Sequence, residues 1–178
     1  MLSPAQRDAI LLCLHALDTY ASSQQWPGPV LFGWIQEKPV PTDPDPAALT
    51  VKIVPIVLDP DLWWGHPDGA IGALRLITEE AHHPLQQAYL AAIAGHTDEK
   101  ILAYLFMYPQ QISHEDVGTV VARFIDVVDT DDICRTIKRL PNAPNALLAT
   151  VDDPGGHEVL TLLRRLTHLT RPETPPSS

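Results

Sequence analysis

The chain has 178 residues and a formal net charge of −10. That length suits one domain, and 45% hydrophobic residues suit a packed core rather than a disordered chain. The acid excess sets the chain against nucleic acid and anionic membranes as partners. Cys13 and Cys134 make no disulfide scaffold. No apolar run reaches the roughly 18–20 residues of a membrane span, and the N-terminus has no signal-peptide pattern. A cytoplasmic protein is expected.

Ser3, Pro4 and Gln6 form a helix start, with Ser3 as N-cap and Gln6 closing a capping box. Ile10, Leu14, Leu17 and Ala21 then recur at helical spacing. That helix should end near residues 22–25. Residues 30–36 read as a strand. Residues 37–48 hold four prolines and read as a loop. Residues 50–58 form a second apolar run, which Pro55 demotes to an edge strand.

Residues 59–69 read as a loop, with Asp68 capping a helix over 69–81. Pro84 opens another helix over 84–94, and Gly95 supplies a stop. Residues 100–108, KILAYLFMY, are the expected central strand, followed by a loop over 109–116. Residues 146–151 form a further strand, 152–156 a turn, and 158–170 a helix with Val159, Leu162, Leu163, Leu166 and Leu169 on one side. Residues 171–178 read as a mobile proline-rich tail, leaving one domain over 1–170.

The organising stretch is residues 117–140. Two runs rich in β-branched residues flank four turn-forming residues, 129–132. A symmetric turn places Phe124 opposite Ile137, Asp126 opposite Arg135 and Arg123 opposite Lys138. Asp126–Arg135 would be a cross-strand charge match of about 0.2–1 kcal/mol. Arg123 and Lys138 would have to splay to solvent or find acids elsewhere. The expected fold is therefore α+β: an antiparallel sheet of four to six strands covered by N-terminal, middle and C-terminal helices.

Three passages together resemble a pattern of small proteins from actinobacteria and their phages. They are the first helix leading to Trp26-Pro27 and the run 31–34, the strand ILAYLFMY, and the hairpin followed by Gly155-Gly156 and the helix segment LLRRL. The resemblance spans about half of the chain. It implies a small cytoplasmic α+β domain and transfers no site residue and no activity.

Several constellations invite chemistry, each beside a plainer reading. Glu79, Glu80, His82 and His83, with His66 and His96 more distant in sequence, are the densest set of metal-ligand residue types, from which His66, Glu80 and His83 are the candidate ligands. Pro84 pulls His83 out of any helix shared with Glu79, and a polar helix end accounts for the histidines equally. Ser113-His114-Glu115 are adjacent, but a triad needs groups that face one another in space. The glycines of residues 65–72 precede a helix, yet a Walker loop's lysine is missing and Asp68 would repel an anion. Asp126, Asp129, Asp131 and Asp132 lack the order of a calcium loop and read as a solvated turn. The few arginines and lysines read as partners of the chain's own acids. Trp63 and Trp64 stand adjacent in a loop, where burying both is difficult, and tryptophan anchors many interfaces.

The function expected from sequence is a non-enzymatic protein-interaction domain, self-associating or accessory, with Trp63 and Trp64 as the partner-binding residues and no cofactor. The partner would be another protein or a second copy, not nucleic acid or membrane. One alternative is a small-molecule- or metal-binding domain, or a hydrolase, in a pocket between the middle helices and the sheet using His66, Glu80 and His83. Another is a phage or mobile-element accessory protein.

Overall fold

The computed structural model describes residues 1–37, 51–56, 66–80, 82–95, 100–114 and 118–170. The elements in chain order are α1 (Pro4–Ser22), β1 (Leu31–Glu37), β2 (Val51–Pro55), α2 (Gly69–Glu79) and α3 (Pro84–Ala94). There follow β3 (Ile101–His114), β4 (Gly118–Asp129), β5 (Cys134–Arg139), β6 (Leu147–Val151), a 3₁₀ turn (Pro154–Gly156) and α4 (Glu158–Leu169). The strands form one antiparallel sheet in the order β2-β1-β3-β4-β5-β6. This is the α+β fold expected from the sequence.

Side chains alternate between the two faces of a strand, and here both faces carry a core. Ala103, Leu105, Met107, Ile125, Val127 and Ile137 pack beneath Ile10, Leu14, Leu17 and Ala21 of α1. Tyr104, Phe106, Tyr108, Phe124 and Val128 pack on the other face against α2, α3 and α4. Alternation along β3 and β4 therefore sorts aromatics toward three helices and aliphatics toward one. Ser3 and Gln6 form the capping box at the start of α1. β2 is an edge strand ending at Pro55.

Four expectations about these elements need correction. The β4–β5 register is one residue off the symmetric reading: Ile125 faces Ile137, Asp126 faces Thr136, Val127 faces Arg135 and Arg123 faces Arg139. The cause is the turn. Asp132 adopts φ 67°, and Asp129 N–H donates to Ile133 O at 3.1 Å, so the loop is residues 130–132. A turn closed by one left-handed residue makes this three-residue hairpin. The Asp129 carboxylate secures it by accepting from the amides of Asp131 (2.9 Å) and Ile133 (3.0 Å).

Second, the segment expected as a loop after Tyr108 is strand. β3 continues through Pro109 to His114, paired with β4 as far as Gly118. Pairing of β1 with β3 stops at Met107, so among the described residues β3 has no strand beside it on that side beyond this point, where a proline is tolerated. Third, Asp68 precedes α2 but makes no side-chain cap bond. Its carboxylate instead pairs with Arg75 Nη1 at 2.7 Å. Leu169, expected on the apolar side of α4, is exposed.

Candidate functional site

Because Phe124 and Val128 face the three-helix side, alternation puts Asp126 there too. It lies at the bottom of the aromatic layer and is fully buried. Thr136, directly across on β5, donates its hydroxyl to Asp126 Oδ1 at 2.5 Å. Tyr108 of β3 donates to Oδ2 at 2.8 Å. His157 Nδ1 stands 3.8 Å from Oδ2, with 29% of its side chain exposed. Burial raises the Asp126 carboxyl above its usual range, against the opposing pull of His157 and the two hydroxyls. Tyr108 is raised as well, by burial and then by the charge of Asp126.

His157 is held by the backbone around it. Asp153 accepts from Gly155 N–H at 2.9 Å and closes the 3₁₀ turn. His157 N–H donates to Pro154 O at 2.7 Å. Its carbonyl then accepts from Thr161 N–H (3.1 Å) and the Thr161 hydroxyl (3.1 Å). The residue thus sits at the junction of turn and helix, at the N-cap of α4.

A cleft of about 350 Å³ opens at this point. Tyr108, Gln110 and Phe124 of the sheet line it, with Ile71 of α2 and His157 and Glu158 at the start of α4. The rings of Tyr108 and Phe124 stack at 5.7 Å between centroids, 18° apart. Arg75 holds Glu158 from outside the cleft. A second cleft of about 310 Å³ shares Gly156 and Glu158 with the first. The first volume is at the lower end for small-molecule sites, and Gln110, His157 and Glu158 bring polar groups to it. An imidazole on a cleft wall can donate a hydrogen bond to a ligand or accept one from it.

The residues chosen from sequence lie elsewhere. His66 is placed against the first turn of α2, where a Cβ on Gly72 would meet its Nδ1 at 2.0 Å. That nitrogen accepts from Asp68 N–H at 3.1 Å. Glu80 ends α2 and is exposed. His83 caps α3, its Nδ1 accepting from Leu85 N–H at 3.2 Å. His66 thus lies at the start of α2, while Glu80 and His83 lie at and beyond its end. Among the described residues no three His, Cys, Asp or Glu side chains gather as a metal site. Trp63 and Trp64 lie outside the described residues, as does the rest of the expected loop before His66.

Asp126 and Asp129, read from sequence as part of a solvated turn, are both buried. His157 was not singled out by any motif. Two signals were present: an aspartate inside a β-branched run, and a histidine directly after Gly155-Gly156 at a helix start. Comparison with family models, with curated proteins and with solved structures returns no match.

Proposed function

We propose that this chain is a small-molecule-binding domain whose ligand sits in the cleft between β3, β4 and the start of α4. The observation that carries the reading is the Asp126–His157 pair. Asp126 is a fully buried carboxylate bonded by two hydroxyls, and the imidazole it faces lines an open cleft. Burying a carboxylate beside neutral donors costs stability, which is the pattern expected where function sets the residue. The test is fragment binding followed by amide chemical shifts in ¹⁵N-labelled protein. Shifts should cluster at Gln110, Phe124 and residues 156–159. Shifts confined to other surfaces would overturn the reading.

Association with another protein or a second copy remains a second proposal, and β6 supports it. This edge strand, LLATV, has no charge and no proline, and exposes Leu147 (66%) and Leu148 (43%). Edges of that kind are open to pairing. Sedimentation of wild-type protein beside Leu148→Lys, and beside Trp63→Ala with Trp64→Ala, separates the two proposed surfaces. A mass that stays monomeric at all concentrations excludes self-association.

A further inference from the structure

We infer that the ligand of this cleft is a compact, flat organic cation bearing N–H donors, of the amidinium or protonated aromatic amine class. The inference rests on the binding reading above and adds the chemistry of what binds.

Among the described residues, the lining of the cleft contains no lysine and no arginine. Its charged member is Glu158, and the carboxylate of Asp126 lies directly behind His157. Arg75 pairs with Glu158 but also with Asp68, so one cation serves two acids there. Around the neighbouring cleft Arg165 is matched by Glu79. The balance at the site is therefore acidic, in a chain that is itself at −10. An anion entering would lose water and meet carboxylates. A cation would exchange water for charge-assisted hydrogen bonds.

The walls are aromatic. Tyr108 at 1% and Phe124 at 9% exposure are stacked on each other, 5.7 Å between centroids, so their ring faces are largely covered and they give the cleft an apolar wall. Such a wall suits a small ring better than a hydrated anion. Gln110 adds an amide that can accept from an N–H donor. The positive end of the α4 dipole opposes a cation, but Glu158 occupies that first turn. The volume of about 350 Å³ is at the lower end for small-molecule sites and suits a compact ligand.

Three isosteric probes test the class: benzamidine, benzamide and benzoate, each titrated into ¹⁵N-labelled full-length protein at neutral pH. Benzamidine should shift Gln110, Phe124 and residues 156–159 saturably, with benzamide weaker and benzoate silent. Glu158→Gln should weaken benzamidine by about tenfold, the scale of one charge-assisted hydrogen bond. Glu158 is on the surface, so this variant keeps its fold. Asp126→Asn should weaken it as well. Asp8→Asn, which removes the same charge from exposed α1 on the far face, should change nothing. Benzoate binding at these residues without benzamidine would overturn the cation class and leave the cleft standing. Silence from all three probes would overturn both. Equal weakening by Asp8→Asn and Glu158→Gln would reduce the effect to general attraction and overturn the site.

Discussion

Asp18 and Asp126 are buried on opposite faces of one sheet, and their surroundings differ in kind. Asp18, on α1, receives Arg123 at 2.6 Å and Arg139 at 2.5 Å. Arg123 also reaches the Ser22 hydroxyl at 2.7 Å and packs over the Trp26 ring at 5.4 Å. Burial pushes the Asp18 carboxyl up, but the hydrogen bonds and charges of Arg139 and Arg123 outweigh it, and the net is below the usual range. Asp126 is bonded by two hydroxyls and faced by a half-buried imidazole, with no arginine among its partners within the described residues, and its carboxyl is raised. The first arrangement fixes α1 to the sheet. The second keeps a carboxylate at a cost beside a cleft. Similar burial therefore does not imply a similar role.

The largest expected effect lies on the α1 face. Asp18→Asn leaves two arginines buried without a counter-charge and should cost about 3–5 kcal/mol in urea unfolding. A loss below 1 kcal/mol would mean that the cluster is not what holds α1. Next comes Asp126→Asn, which replaces a buried carboxyl by a neutral amide whose oxygen accepts from one hydroxyl while its NH2 donates to the other. At pH 7 it should leave stability unchanged or raise it by up to about 2 kcal/mol. Smallest is His157→Ala, expected to shift stability by less than about 1 kcal/mol while removing the cleft's imidazole. Unfolding on that change would make His157 a structural residue.

The two faces should also respond to pH with opposite sign. The folded value of Asp18 is lowered, so its contribution is present above the unfolded carboxylate value near 3.9 and is lost as pH falls through the folded one. The folded value of Asp126 is raised, so its contribution is full below about 3.9 and is lost as pH rises through the folded one. The stability gap between wild type and Asp18→Asn should therefore narrow in acid. Any advantage of Asp126→Asn should likewise vanish below about pH 4, where the native aspartate is neutral too. A gap that widens in acid for either variant would contradict the assignment.

Much of the fold was legible because apolar spacing and proline punctuation act locally. Ser3 with Gln6, the Ile10–Leu14–Leu17–Ala21 stripe, Pro84 at a helix start and the acidic bend all mark their elements in sequence. The register was not legible, because it depends on the left-handed Asp132, and aspartate gives no glycine-like signal for that conformation. The missed extension of β3 has a similar origin: Pro109 ends a strand by local rules, and only the absence of β1 beyond Met107 makes it acceptable. The candidate site was least visible. Asp126, Tyr108 and His157 come from β4, β3 and the start of α4, so they meet only once the register is set. The shift by one residue also hands Arg135 to Asp129, at 3.0 Å, and so leaves Asp126 without the partner its spacing suggested.

Urea unfolding of Asp126→Asn and Asp18→Asn, side by side at pH 7, most directly tests whether the two aspartates have different roles. Asp18→Asn should fall by several kcal/mol while Asp126→Asn holds or gains. If both fall together, Asp126 is a second structural anchor, and the cleft beside it has lost the reason for being read as a site.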